Sequence, residues 1–472
     1  MTSRDFPLPI SSDADRHTQS PWAVEQEASS LIALWPGDSP PTMTEVIAAL
    51  GQRCEAPPAK MSDMPPRPGV PWAAAFATSL AEAPLIIWTE AAQPLPEREL
   101  DDPRAAACKW VIGVEAMLSQ DEPYEEYIAI LSAMAGGLEA VAILDIVTGH
   151  WLELEALDDL AHDPPGVPPI ESLWVIHSVF DRNRDEGTHW LHTHGLWRCG
   201  RPELEMLDVR ATKSGVAGRL LNDIARRVLD DADLPIAPEP YSIGPGMDVT
   251  LHPWQSLMAQ VGKGGHGGPD DRAGEDNPHR GMRAVVCGPK PHGVFRKQWS
   301  WPSEATEMLE QDRGVIFHSD RDTDRAAKLA RDRWGELATA FAAAQRLKIE
   351  GKPAAAFAVK ARFCQPGDAE DREHMWIDVR EFRGETASGE LMNQPLRLTH
   401  VRHGQIVTIG RNDVSDWQVF TPAGSFRPSD VPALWRVLDV MKDPVRSKDG
   451  ALPRRRRSLR GVPRGIVEGT EP

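Results

Sequence analysis

The stretch His189-Trp190-Leu191-His192-Thr193-His194 comes closest, in residue type and spacing, to a chemical site. Alternate side chains of a β-strand share a face, so His192 and His194 stand together within reach of one metal ion, and His189 points the other way. Two imidazoles do not complete a zinc shell of three or four ligands. The missing donors must come from neighbouring strands, with His177, Glu203, Glu205 and His252 as candidates. On a bound metal ion, Glu203 or Glu205 is the candidate general base for metal-assisted hydrolysis of a substrate by water. No H-E-x-x-H ligand set and no G-x-S-x-G nucleophile elbow accompanies these residues. An isolated H-x-H pair is more commonly a hydrogen-bonded part of a strand. The leading expectation is therefore no cofactor, with zinc as the alternative.

Two other segments invite a chemical reading. Gly262-Lys263-Gly264-Gly265-His266-Gly267-Gly268 offers amides and an ammonium to an oxyanion, but it lacks the G-x-x-x-x-G-K-[ST] pattern. A flexible loop over 262–281 is the expectation. Arg454-Arg455-Arg456-Arg457, with Arg460 and Arg464, is a basic cluster without interleaved aromatics, and is expected to be a disordered tail.

The elements that must position these residues follow from pattern and composition. The 472 residues carry 52 Lys+Arg against 70 Asp+Glu, a formal charge of −18, which opposes wholesale binding to nucleic acid or anionic lipid. Apolar runs such as Ala140–Leu144 fall far short of the roughly 20 residues that span a bilayer, and the N-terminus lacks a secretory pattern. Five scattered cysteines with no C-x-x-C pair suit reduced thiols, so a cytoplasmic location without a membrane partner is expected.

Strand-like and helix-like runs alternate with short connections, which predicts a multidomain α+β protein with mixed or antiparallel sheets and flanking helices. The expected division is a tail at 1–29, an α+β domain at 30–160, a second at 170–345 after the Pro-rich break at 163–169, a small β-rich domain at 346–440, and a basic tail at 441–472. Sixteen tryptophans against three tyrosines supply large rings for these cores.

In the last domain Glu373-His374-Met375-Trp376-Ile377-Asp378-Val379 is followed in order by Gly389-Glu390-Leu391-Met392-Asn393-Gln394-Pro395, His403-Gly404-Gln405-Ile406-Val407-Thr408-Ile409 and Val414-Ser415-Asp416-Trp417. Together these motifs resemble the bacterial YegJ-like family, domain of unknown function 2314. Upstream, Leu191-His192-Thr193-His194-Gly195-Leu196 and Gly200-Arg201-Pro202-Glu203-Leu204-Glu205 resemble domain of unknown function 4026. Neither resemblance implies an activity. Strand alternation places His374, Trp376 and Asp378 on one face, with Met375, Ile377 and Val379 packed inward. A contact surface formed by His374, Trp376, Asp378, Asp416 and Trp417 is the alternative to a purely fold-defining role. With no complete catalytic set, the leading functional expectation is non-catalytic binding of an as yet unidentified protein, as an accessory or toxin-neutralising partner. The alternatives are a metal-dependent hydrolase built on His192 and His194 and, last, nucleic-acid association through the arginine tail.

Overall fold

The computed structural model describes residues 22–442 apart from 94–99, 101, 163–169, 181–186, 232, 262–265, 275–276, 278, 294–297, 312–315, 317–318 and 350–351. The described residues form two compact units, one ending at Ser319 and the other beginning at Asp320. The arrangement is α+β throughout, as expected.

The first unit contains two sheets. Strands β1 (Ser29–Trp35), β2 (Ala59–Asp63), β3 (Trp72–Ala77), β4 (Leu85–Ala91), β5 (Trp110–Ala116), β6 (Ile143–Asp145) and β7 (His150–Leu152) pair antiparallel in the order β2-β3-β4-β5-β1-β6-β7. Helix α1 (Met43–Gly51) starts at a reciprocal cap in which Thr42 Oγ1 accepts from Glu45 N–H and Glu45 accepts from Thr42 N–H. Helix α2 (Pro123–Gly137) begins with a proline, whose missing N–H costs nothing in a first turn.

The second sheet holds β8 (Val175–Val179), β9 (Thr188–His194), β10 (Glu203–Arg210), β11 (Tyr241–Gly244), β12 (Met247–Pro253) and β13 (Arg283–Cys287) in the order β11-β12-β13-β10-β9-β8. Only β10 and β13 pair in parallel. One face of this sheet is apolar. Leu191, Leu204, Met206, Leu251 and Val286 join one core with Leu220, Leu221, Ile224 and Val228 of helix α3 (Ser214–Asp230). The period of two then forces the polar residues of β9 and β10 onto the opposite face.

The Pro-rich break at 163–169 does not separate two compact units, because the core of the first sheet continues into that of the second. A buried ion pair joins them. Arg198 Nη2 reaches both oxygens of Asp145 at 2.8 and 3.0 Å, and Tyr127 Oη donates to Asp145 Oδ2 at 2.6 Å. The expected tail to residue 29 also needs correction, since Trp22 is buried and its Nε1 donates to Leu234 O at 3.0 Å. Gln26 donates to Leu118 O and Arg198 O. One indole buries enough apolar area to anchor a polar segment that has no periodicity of its own.

In the second unit, β14 (Ala356–Gln365), β15 (Asp368–Arg383), β16 (Thr386–Leu391), β17 (Ile406–Gly410), β18 (Val414–Thr421) and β19 (Gly424–Phe426) form an antiparallel sheet ordered β17-β16-β15-β14-β18-β19. Helices α4 (Asp320–Asp332), α5 (Trp334–Arg346) and α6 (Val431–Lys442) contribute Ala330, Trp334, Leu337, Leu434 and Leu438 to the same core as Phe357, Val359, Ile377 and Trp417. The unit therefore begins about 25 residues before the expected boundary at 346. Trp334 explains why, because its ring is buried among these residues and its Nε1 donates to Gly384 O at 3.2 Å.

Replacing one partner of a fully buried ion pair leaves the other charge uncompensated. Asp145→Ala is expected to cost about 3–5 kcal/mol in the first unit. Asp38→Ala removes an exposed pair with Lys109 and should leave the denaturation midpoint unchanged. Urea titration of both variants checks the contrast, and equal midpoints would contradict it.

Candidate metal centre

The polar face of the second sheet is set by register. His177 on β8 lies directly opposite His192 on β9, and His192 lies opposite Glu205 on β10. Trp190, His192 and His194 follow one another at the strand period. His192 Nε2 is 3.1 Å from His194 Nε2. One ligating nitrogen from each of His177, His192 and His194 lies within 4.8 Å of the others. His177 Nε2 and His192 Nδ1 are both buried without a hydrogen-bond partner.

The electrostatics keep these rings neutral. Burial, reinforced by the neighbouring histidines and Arg283, holds His192 and His194 well below the ordinary imidazole range. Burial first, then His150 and Arg283, lowers His177 to about 4. Neutral imidazole is the form that binds a metal, and the donor set holds no oxygen ligand suited to calcium or magnesium.

The two candidate carboxylates are engaged elsewhere. Glu203 accepts from Thr193 Oγ1 and, at 2.6 Å, from Gly195 N–H. Gly195 is required there: its φ is +123°, and a Cβ would sit 2.1 Å from Leu173 O. Glu205 accepts from Arg272 Nη2 at 2.8 and 2.9 Å and from Trp190 Nε1 at 3.1 Å. Both carboxylates are buried, and their partners leave neither free as the general base considered from sequence. His252 bonds Thr250 Oγ1 and packs on Trp299, outside the cluster, and His189 lies on the other face with Nδ1 2.7 Å from Ser178 Oγ.

Sequence reasoning missed His279 and Arg272, which lie in the segment expected to be a flexible loop. His279 Nε2 is 3.2 Å from His194 Nε2, and Arg272 is buried against Glu205. The local signal was Asn277, whose Oδ1 accepts from His279 N–H at 2.8 Å in a turn. Lys263 and the arginine cluster at 454–464 lie outside the described residues.

The residues proposed as a C-terminal contact surface divide. Met375, Ile377 and Val379 are buried, whereas Trp376 and Asp378 are partly exposed and His374 bonds Ser415 Oγ at 2.8 Å. Trp417 is fully buried with its Nε1 donating to Ala330 O, so it belongs to the core and not to a surface. Asp416 Oδ1 accepts the Trp417 N–H at 2.8 Å. Glu373 accepts N–H bonds from Leu396, Arg397 and Leu398, which hold its carboxyl below the usual range although desolvation opposes them.

Fold and site thus define an α+β protein with a buried histidine cluster on its second sheet. Residues 176–287, which include every member of that cluster, match the family model described as the C-terminal region of a protein of unknown function, DUF4026. Residues 320–426 match the uncharacterized protein conserved in bacteria, DUF2314, so the two regions occur in the order expected. A putative ankyrin repeat protein of Neisseria meningitidis serogroup B is 47% identical over 60 residues, 12% of this chain. The matched part spans 24% of that relative's length. No solved structure matches.

Because the histidines have depressed folded-state pKa values, metal-free protein should be most stable above about pH 6.5, their unfolded value. Below it the unfolded chain takes up protons that the folded chain does not, so stability falls as the pH drops toward about 4, the value for His177. Thermal melts in chelator from pH 7.5 to 4.5 should show this fall, with a shallower slope for His177→Gln. A parallel slope in that variant would contradict the assignment.

Proposed function

We propose that this chain is a non-catalytic accessory protein that binds a divalent transition metal, zinc by preference, through His177, His192 and His194. The observation that carries the reading is the convergence of three neutral imidazoles on one sheet face, His192 buried and His177 half-buried, with donor nitrogens within 4.8 Å of one another. Imidazole is a borderline donor, which suits zinc, copper and nickel. Engagement of Glu203 and Glu205 by other partners favours a binding role over the hydrolytic alternative. A reducing cytoplasm suits the five free thiols. No helix among the described residues is long and apolar enough to cross a membrane.

A protein partner is the second half of this reading, and the second unit supports it. Helices cover one face of its sheet, while Ile406 (65% exposed), Met392 (50%) and Phe420 (44%) remain accessible. Exposed apolar side chains set among charges such as Glu390 and Asp378 offer contacts to another protein.

Metal analysis of protein purified without a histidine tag or chelator tests the first half. One equivalent of zinc or another transition metal in the parent, lost in the His192→Ala, His194→Ala double variant, is expected. A parent that stays metal-free after incubation with zinc overturns the reading. For the second half, a stoichiometric partner captured in its native host should be lost on Ile406→Asp with Phe420→Asp, and equal capture would remove that surface from consideration.

A further inference from the structure

His194 Nε2 has two imidazole neighbours, His192 Nε2 at 3.1 Å and His279 Nε2 at 3.2 Å. An imidazole nitrogen carries one in-plane proton or one lone pair, so it makes one good hydrogen bond. Two such contacts on the same atom cannot both be satisfied by any choice of tautomers. A metal ion at the usual zinc–nitrogen distance of about 2.0–2.1 Å resolves this, because tetrahedral ligand atoms then lie about 3.3 Å apart. The His192–His194 and His194–His279 spacings are close to that edge, while the nitrogens of His177, His192 and His194 lie within 4.8 Å of one another.

His279 is delivered to this position by a built support. Arg272 Nη1 donates to His279 O at 3.2 Å, and its Nη2 holds both oxygens of Glu205. Its Nε and Nη2 also donate to Gly267 O. The guanidinium lies over two indoles, 5.1 Å from the centroid of Trp190 and 4.6 Å from that of Trp254. Gly267, with φ +79°, lets the backbone approach the sheet where a Cβ would come within 2.6 Å of Leu207 and 3.1 Å of the Trp190 ring. Asn277 fixes the turn before His279 through bonds to Asp271 O and Ala273 O.

Resting on the metal-binding reading above, we propose that His279 is a further ligand to the same ion and that Arg272 is its positioning residue. The ion then receives imidazoles from two strands and from the segment that crosses them. The chemistry is a nitrogen-only shell for a borderline divalent cation. Arg272 acts through its hold on the His279 backbone and makes no contact with the ion.

Cobalt(II) is the probe, since its visible absorption reports coordination number, and zinc competition then gives affinity. The full-length parent is expected to show the intense bands of a four-coordinate site. His279→Gln should weaken zinc binding by at least about tenfold and change the cobalt spectrum. Arg272→Lys keeps the charge but loses the fork, and should weaken binding by about tenfold, in the range of lost outer-shell support, with its spectrum shifted toward that of His279→Gln. His252→Gln, on the same sheet but outside the cluster, should match the parent. If His279→Gln binds as tightly and with the parent spectrum, the proposal is overturned and the three-histidine site stands. A parent that takes up neither cobalt nor zinc overturns the underlying reading as well.

Discussion

The structure depends on satisfying a polar sheet face that has been taken out of water. Apolar residues of β9, β10, β12 and β13 pack on α3, and the pleat then commits His192, His194, Glu205 and Arg283 to the opposite side. That side is buried too, so every charge and every ring nitrogen on it needs a partner or pays the desolvation cost. Glu203 and Glu205 solve the problem with Thr193, the Gly195 amide, Trp190 and Arg272. The imidazoles do so only in part, since they face mainly one another.

In the proposed reading, this asymmetry separates binding from catalysis. A general base needs an acceptor lone pair directed at a water, and both nearby carboxylates spend theirs on buried donors. The ring nitrogens of His177, His192 and His194 instead lie within 4.8 Å of one another, with no carboxylate among them. The same local set contains two buried guanidiniums and two buried carboxylates, so its formal charges cancel and leave a neutral nitrogen site. A nitrogen-only site of the proposed kind discriminates among metal ions by their softness more than by their charge.

Much of this was legible in the sequence, for a physical reason. The period of two in Trp190-Leu191-His192-Thr193-His194 predicts which rings share a face, and the same rule sorts Trp376 outward from Met375 and Ile377. Register is not local, so His177 was one of several candidates, and only the β8–β9 pairing selects it over His252. His279 was illegible because its place depends on Arg272 meeting Glu205 67 positions away. Trp417 was left between a fold-defining role and a contact surface because the turn at Arg411–Asp413 hides the phase of the strand that follows, and its burial fits the first. Trp22 and helix α6 escaped notice for related reasons: a lone indole has no period, and Pro432 near the helix start reads as a break.

Whether the neutral imidazoles hold a metal ion, as proposed, is read most directly from X-ray absorption at the zinc edge of the zinc-loaded, full-length protein. A first shell of nitrogen at about 2.0–2.1 Å with the multiple-scattering pattern of several histidine rings is expected. A shell containing sulfur at about 2.3 Å, or one dominated by oxygen without imidazole scattering, would place the metal elsewhere and contradict the proposal.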